Sequence, residues 1–413
     1  MSQALSLNVE PSPATSIRDR EIQRRTFWAC FIIDRLISCS CNKPFAISLD
    51  TVKVSLPCSE SAFMLEEDAK GPVLDDMIVN SAQVSQVGFL PFFVAALRLW
   101  GDMTLLHVSG GRRKSKHGPH EPSGEFYQHR VTLANFISNM PASLTWSPRN
   151  FKAHQIAGQA QIYLNICFLI HHTNCVMNQE YLPQLESQYS LASEINVVSG
   201  LDAAGISFDL DDSGMIKPCI FSINTITEMS ELLNSGDKKH KSMVQSSFAA
   251  NAILTASAVH LWVLYTQSCD VCPKHLALAK AESLRQIMKS WQPQWKIATA
   301  YVETLEMLYK LYVFSYGKIV ESELDCWDVG VDDINEIADV QQDGDAAEPY
   351  LSAFSQRLYD KVKAILTNPL LPTEVKKRNL RAYSSTLWQH MWTMGPLEGL
   401  DDEIANISTM DVA

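Results

Sequence analysis

Apolar residues recur at helical spacing close to the N-terminus, between Arg24 and Ile37. They keep i, i+3 and i+4 intervals and occupy most of the helix circumference: Phe27, Trp28, Phe31, Ile32, Ile33, Leu36 and Ile37. A helix that is apolar nearly all round is normally buried on all sides. The pattern therefore predicts a buried helix over this stretch.

Four charged residues interrupt the apolar pattern, namely Arg24, Arg25, Asp34 and Arg35. A charge near a core is tolerated when it is paired, hydrogen-bonded or able to reach water along its stem. Asp34 has no basic residue three or four positions before it, so we expect its partner from another element or from the loop around Lys43 and Pro44. We interpret these charges as groups that fix the docking of the helix.

Further helical patterns follow along the chain. They predict helices over residues 73–107, 126–139, 151–178, 220–234, 246–267, 273–291, 295–319, 349–366 and 374–394. Pro91 is expected to kink or break the first of these helices. Residues 61–72, 110–124 and 183–217 are predicted to be loops. No stretch shows sustained polar–apolar alternation, so the sequence predicts an all-α fold, a large multi-helix domain with long irregular loops.

Residues 321–348 stand apart as an acidic segment. They contain eleven Asp or Glu and no Lys or Arg, and so carry −11 of the net charge of −12. Apolar residues are interleaved with the carboxylates, among them Leu324, Trp327, Val331, Ile334 and Ile337. Such alternation is typical of disordered activation segments, because like charges prevent collapse and leave the apolar side chains available to a partner. An acidic surface loop with a few anchoring side chains is the other interpretation.

The composition suggests four regions and an intracellular location. We divide the chain into a helical body (1–320), the acidic segment (321–348), C-terminal helices on the same body (349–394) and a flexible tail (395–413). Ten cysteines without a secretory signal suggest reduced thiols. The most apolar run, residues 87–97, is about half the length of a membrane span. We therefore expect a soluble protein without a membrane partner, whose acidity disfavours binding of DNA by this chain alone.

Residues 21–58, called the signature stretch below, resemble the signature of the fungal-specific transcription factor domain. That domain is the helical middle homology region usually found behind a zinc binuclear-cluster DNA-binding domain. The resemblance rests on Glu21, Arg24-Arg25, Thr26-Phe27-Trp28, Asp34-Arg35, Pro44, Ala46-Ile47-Ser48 and Leu56-Pro57-Cys58. The chain departs from the family at Cys41-Asn42-Lys43. Only twenty residues precede the signature stretch, whereas the family has much of the domain upstream, so a truncated gene model is one explanation.

The resemblance implies a nuclear regulator of RNA polymerase II transcription. It assigns structural roles to eight positions: Arg24, Arg25, Phe27, Trp28, Asp34, Arg35, Pro44 and Pro57. It also implies that DNA is reached through a missing or partner DNA-binding domain, and that the transcription machinery, a homodimer partner or a small-molecule effector binds the helical body. The alternatives are a helical ligand sensor or interaction scaffold, acting as a transcriptional cofactor without DNA binding of its own, and an unrecognised helical enzyme.

Motifs for metal binding and catalysis are weak in this sequence. A zinc binuclear cluster needs two C-x2-C-x6-C half-motifs, and only Cys269 and Cys272 make a C-x-x-C. The adjacent His171 and His172 point about 100° apart on a helix and do not suit one metal ion. Phosphate-binding and nucleophile-elbow motifs are missing. We therefore expect no catalytic residue and no cofactor in this chain, with zinc implied only for a missing N-terminal cluster.

A short basic run lies in the predicted loop at residues 110–124. It consists of Arg112, Arg113, Lys114 and Lys116. Such runs serve as nuclear import signals or phosphate contacts. A solvated loop without a specific role is the other interpretation, because most charge runs lie on solvated surfaces.

Overall fold

The computed structural model describes residues 6–41, 44–79, 88–179, 182, 213–265 and 274–316, and isolated positions from 362 to 380. The described residues form α-helices and contain no strand, which confirms the predicted all-α fold. The helices are α1 Ile17–Cys41, α2 Glu60–Met64, α3 Leu74–Val79, α4 Phe89–Val108, α5 Gly111–Lys114, α6 Glu125–Asn139, α7 Pro148–Ile156, α8 Ala160–Gln179, α9 Ser213–Ser235, α10 Lys238–Val244, α11 Ser247–Tyr265, α12 Lys274–Lys289 and α13 Lys296–Tyr316. Two 3₁₀ turns lie at Leu49–Thr51 and Ala142–Leu144.

The chain forms two compact units, and the boundary between them falls after Thr255, inside α11. In the first unit α4 packs against α1 and α8, and α8 packs against α9. In the second unit α12 packs against α13. The divisions predicted at residues 320, 348 and 394 stay predictions. Most residues after residue 320, including the acidic segment and the tail, lie outside the described part of the chain.

Helix α4 provides much of the core of the first unit. Its residues from Pro91 to Leu97 are buried without interruption. The rings of Phe93 and Trp100 make edge contacts with Phe248, with centroids 5.4 and 6.3 Å apart. Pro91 was predicted to kink or break its helix, but it falls in the first turn of α4, where its missing N–H has no partner to lose.

Two helices are long and apolar enough to cross a membrane by length and composition, namely α4 and α11. The expectation that the apolar run was too short was therefore wrong, since α4 continues to Val108. Most of each helix is buried inside the protein, as in the core helices of soluble proteins. Their apolar character therefore follows from packing.

Several predicted boundaries need correction. The helix predicted over 151–178 is two helices, because Gly158 takes a left-handed conformation (φ +73°) between α7 and α8. Short helices occupy parts of the loops predicted over 61–72 and 110–124, where α2 and α5 lie. The predicted loop at 183–217 includes the start of α9, and residues 183–212 lie outside the described part.

Helix α1 is also not buried on all sides. Its packing partners, α4 and the loop that follows α1, cover one side of the helix. On the other side Ile22, Ile33 and Ile37 are 42%, 56% and 52% exposed.

Candidate functional site

The signature stretch forms one connected structure in which the loop at residues 44–58 docks on α1. Three aromatic side chains of α1, Phe27, Trp28 and Phe31, are fully buried and stack edge to face, with centroids 5.1 and 5.3 Å apart. The indole N–H of Trp28 donates to the carbonyl of Ser55 at 2.7 Å. Because this bond is buried, it fixes the loop on the helix as well as satisfying the indole.

Glu21 is a buried carboxylate that joins the start of α1 to the end of the loop. It accepts hydrogen bonds from Arg25 at 2.9 Å, from Arg24 at 3.3 Å and from the backbone N–H of Cys58 at 3.0 Å. Burying a carboxylate is costly unless it is paired in this way. The two adjacent arginines of the signature stretch are therefore the counter-charges of Glu21.

Glu10 extends the network to the segment that precedes α1. Its carboxylate binds Arg24 at 3.0 Å and accepts the backbone N–H of Ser55 at 2.7 Å. Partial burial acts to raise the pKa of Glu10, but the bonds from Ser55 and the Arg24 guanidinium outweigh it and lower that pKa. The ionised form is thus held between helix and loop.

Arg25 connects the same network to α2. Its guanidinium binds Glu60 at 2.8 Å and the carbonyl of Cys58 at 3.3 Å, and lies 4.3 Å from the ring centroid of Phe63. Although burial acts to lower it, the pKa of Arg25 is raised by Glu60 and Glu21. Glu60 and Phe63 belong to α2, so Arg25 positions that short helix.

Asp34 and Arg35 hold the first part of the loop. Asp34 accepts the backbone N–H groups of Ala46 and Ile47, at 2.9 and 3.2 Å, and pairs with Arg35. The expectation that its cationic partner came from another element or the loop was wrong, because the partner is its own neighbour in α1. The loop instead supplies two backbone donors.

The guanidinium of Arg35 is buried between two aromatic rings. It lies 4.3 Å from the centroid of Phe31 and 3.8 Å from that of Phe45, and donates to the carbonyl of Ile47 at 3.0 Å. Burial lowers the pKa of Arg35, and Asp34 counteracts that effect. Gly101 of α4 makes room for it, since a Cβ there would stand 3.1 Å from Arg35 Cδ.

The two prolines of the signature stretch differ in their surroundings. Pro57 is buried, whereas Pro44 is exposed and its carbonyl accepts a hydrogen bond from Ser38 at 3.3 Å.

Gly71 passes so close to the loop that a Cβ would lie 2.0 Å from the carbonyl oxygen of Leu56. The sequence analysis missed Gly71, and the Gly71-Pro72 dipeptide was the available signal.

Comparisons with known proteins point to the same family as the signature stretch. Residues 1–196 match the model of the fungal specific transcription factor domain. Residues 1–196 thus correspond to a fungal specific transcription factor domain. No solved structure matches it.

Its relatives are regulators of transcription by name. An uncharacterized transcriptional regulatory protein of Schizosaccharomyces pombe is 23% identical over 329 residues, covering 74% of this chain and 46% of that protein. The Zn(2)-C6 fungal-type transcription factors FTF1c and FTF2 of Fusarium oxysporum f. sp. lycopersici are each 23% identical, over 61% and 68% of this chain. The chain spans 26% of FTF1c and 25% of FTF2, and so less than half of each of these relatives.

In the first unit, α8 and α9 bury a group of polar side chains, the α8–α9 polar cluster, which consists of His171, Asn174, Asn178 and Ser222. The hydroxyl of Ser222 is 3.2 Å from Nδ1 of His171 and accepts from the amide of Asn174 at 2.8 Å. Asn178 donates to the carbonyl of Asn174 at 2.7 Å. These bonds offset the cost of burying polar groups.

The two adjacent histidines of α8 face different neighbours, as their helical spacing predicts. His171 faces Ser222 of α9, and His172 lies beside Trp100 of α4, with ring centroids 5.9 Å apart. Burial lowers the pKa of His171 to about 4 and that of His172 to about 3, so both rings are neutral. Across the described residues, no three His, Cys, Asp or Glu side chains are grouped so as to hold a metal ion.

The remaining candidate residues are only partly described. In the basic run, Arg112, Arg113 and Lys114 belong to α5, and Lys114 and Lys116 are exposed, while the side chains of the two arginines lie outside the described part. The acidic segment lies outside it entirely, with Leu324, Trp327, Val331, Ile334 and Ile337. Six of the eight family positions lie in α1 and Pro57 is buried in the loop that docks on it, whereas Pro44 is exposed.

Proposed function

We propose that this chain regulates RNA polymerase II transcription in a fungal nucleus through its helical domain. The match of residues 1–196 to the fungal specific transcription factor domain carries this proposal. The names of the relatives support it. Since the chain spans less than half of those relatives, DNA contact is assigned to a zinc-cluster module or partner outside these residues, and no catalytic role is proposed.

The signature stretch has a structural role in this proposal. Its charged side chains bind one another and the loop backbone. Among its described contacts, no group of polar side chains points together as a ligand-binding or catalytic site would require. A network of this kind fixes one arrangement of helix and loop. We assign it the task of holding a rigid platform for partners of the transcription machinery.

The acidic segment is the proposed activating element. Its eleven carboxylates and interleaved apolar residues support this role. We expect the full chain, fused to a foreign DNA-binding domain, to activate a reporter gene, and deletion of residues 321–348 to abolish activation. Alanine at Leu324, Trp327, Val331, Ile334 and Ile337 should have the same effect with the net charge unchanged.

A matched variant separates charge from apolar contact in this experiment. Replacing Asp343, Asp345 and Glu348 by the corresponding amides removes three charges from the segment's end, away from most of its apolar residues, and should leave most activation intact. Activation that survives deletion of the whole segment would show that another part of the chain activates.

A cofactor role as ligand sensor is the second candidate, and two buried atoms favour it. Nε2 of His172 and Oδ1 of Asn178 have no hydrogen-bond partner among the described residues, although both side chains are at least 96% buried. Buried polar atoms of this kind are normally satisfied by water or a ligand. A fusion that stays silent in the reporter assay, together with an unfused chain whose promoter occupancy depends on a second protein, would favour the cofactor role.

A further inference from the structure

Ser115 is an exposed serine that directly follows three basic residues, Arg112, Arg113 and Lys114. It lies just after the single turn of α5, in the loop that leads to α6. Its hydroxyl donates to the carbonyl of His117 at 2.9 Å and accepts the N–H of the same residue at 3.2 Å. Both bonds are local to the loop, so an enzyme reaches this oxygen without disturbing the core.

The segment before Ser115 is easily drawn into an extended shape. Helix α5 is a single turn of four residues, Gly111–Lys114. Backbone bonds from Lys114 to Gly110 at 3.4 Å and from Ser115 to Gly111 at 3.1 Å close this turn. One helical turn adds little stability by itself, because it fixes several residues for few hydrogen bonds. The segment therefore opens at small cost into the extended form in which peptides lie along an enzyme groove.

The charges before Ser115 form a pattern that occurs nowhere else in the sequence. Only here do arginines stand both two and three positions before a serine or threonine. Guanidinium groups bind carboxylates through two parallel hydrogen bonds, so adjacent arginines suit an acidic groove. Charge patterns of this kind distinguish the substrates of one kinase from those of another.

Thr26 and Ser242 also follow basic residues but are poorer candidates. Thr26 lies within α1, and the two arginines before it, Arg24 and Arg25, are bound to carboxylates. Ser242 follows lysines in place of arginines, and its hydroxyl donates to the carbonyl of Lys239 at 2.7 Å within α10. Ser242 is nevertheless exposed, which makes it a suitable control.

We propose that Ser115 is the phosphate acceptor of a serine kinase whose substrate groove is acidic. In this reaction the hydroxyl oxygen of Ser115 forms a bond to the γ-phosphorus of ATP, while the bond from that phosphorus to the β–γ bridging oxygen breaks. ADP leaves, and the hydroxyl proton passes to a carboxylate of the kinase. This inference does not depend on the proposed role in transcription.

A phosphate on Ser115 offsets much of the positive charge of the basic run. The run carries four positive charges, and a phosphoserine adds about −1.5 to −2 at neutral pH. Lys114 and Lys116, the exposed neighbours of Ser115 in the sequence, are the counter-charges available to it. Phosphorylation therefore weakens any contact of the basic run with an acidic or phosphate-bearing partner.

The first test is phosphate transfer to the purified full chain. The probe is the catalytic subunit of a cyclic-AMP-dependent protein kinase, which selects arginines two and three positions before the serine, with ATP and Mg²⁺. We expect mass spectrometry to find phosphate on Ser115, and Ser115→Ala to abolish this transfer. The double variant Arg112→Gln and Arg113→Gln should lower kcat/KM at least about tenfold, the equivalent of one charge-assisted hydrogen bond. Ser242→Ala is the matched control and should be phosphorylated like the wild type.

The second test asks whether cells use this site. The full chain is produced in yeast cells and separated by phosphate-affinity electrophoresis, and phosphatase treatment identifies the bands that carry phosphate. We expect a retarded form that is lost in Ser115→Ala and in the double arginine variant and kept in Ser242→Ala. Circular dichroism checks that each variant is folded. A wild-type chain without a Ser115-dependent retarded form would overturn the proposal, and so would transfer in the first test that the arginine changes do not slow.

Discussion

Arg35 shows how one side chain connects the signature stretch to the core. It is 1% exposed, stacked between Phe31 and Phe45, and paired with Asp34. We expect Arg35→Ala to lower the free energy of unfolding by about 3 kcal/mol, because Asp34 would keep its charge without a counter-charge. Arg35→Lys should recover little of this, since an ammonium group cannot stack and bind in the same geometry. Urea unfolding followed by tryptophan fluorescence measures both changes.

The matched control for Arg35 is Arg18, whose bond to Glu66 lies on the surface. Both side chains of that pair are more than half exposed. Surface pairs contribute little, so Arg18→Ala should change the free energy of unfolding by less than about 1 kcal/mol. A similar loss for both variants would mean that the position of Arg35 in the core does not matter.

The buried histidines of α8 predict a pH dependence of stability. The pKa of His171 is lowered to about 4 and that of His172 to about 3 by burial, whereas both would titrate near about 6.5 in the unfolded chain. Below that pH the unfolded state binds more protons than the folded state, so stability falls as the pH falls. We expect these two rings together to contribute a loss of about 2 kcal/mol between about pH 6 and about pH 5.

The neighbours of these histidines allow a clean test of the pH effect. Trp100 of α4 and Ser222 and Phe221 of α9 face the two rings, and none of them is charged. Urea unfolding at several pH values gives the dependence of the unfolding free energy on pH. This dependence should be weaker for His172→Leu than for the wild type. His275→Gln, at an exposed position of α12, should leave the pH dependence of the unfolding free energy unchanged. An unchanged pH dependence in His172→Leu would show that His172 does not contribute to it.

Helices with a strong apolar period were predictable from the sequence, as α6 and α13 show. The prediction over 126–139 differs from Glu125–Asn139 by one residue. Short helices were missed because they carry too few apolar positions to show a period. Side-chain caps stabilise two of them, α2 and α10. The hydroxyl of Ser59 accepts from the N–H of Ala62 at 3.2 Å, and the carboxylate of Asp237 accepts from the N–H of His240 at 2.9 Å.

The break between α7 and α8 was missed for a different reason. Apolar residues continue on both sides of Gly158, so the period alone does not show the left-handed residue between them. A Cβ at Gly158 would meet nothing within 4 Å. Gly158→Ala should therefore cost about 1 kcal/mol of unfolding free energy from backbone strain alone, and Gly158→Asn less. No loss on thermal or urea unfolding of the alanine variant would mean that the turn adopts another conformation.

The sequence predicted which side chains of the signature stretch carry charges near the core. It did not predict all of the residues that pair with them. The sequence indicated that the charges of α1 need partners, and Arg24, Arg25, Asp34 and Arg35 each bind an oppositely charged side chain. The counter-charges Glu10 and Glu60 lie outside α1, in segments that meet only after folding. The exposed side of α1, at Ile22, Ile33 and Ile37, was missed because periodicity shows which positions are apolar and not which of them the fold covers.

The charge of the whole chain disfavours DNA binding by this chain alone. Its net charge is −12, of which −11 belongs to the acidic segment, so deletion of residues 321–348 leaves −1. Within the described residues seven arginines are engaged with carboxylates: Arg18, Arg20, Arg24, Arg25, Arg35, Arg98 and Arg285. These groups are therefore not available to phosphates.

We accordingly expect the full chain not to bind a short DNA duplex at physiological salt, measured by fluorescence anisotropy. Deletion of the acidic segment should not create binding, because near-neutral charge does not replace a basic surface that neutralises phosphates. A basic peptide of similar charge to one zinc-cluster module, fused to the chain, is the positive control. Binding by the unfused deletion variant that weakens steeply with salt would reveal a phosphate-binding surface, and the basic run at Lys114 and Lys116 would be the first place to mutate.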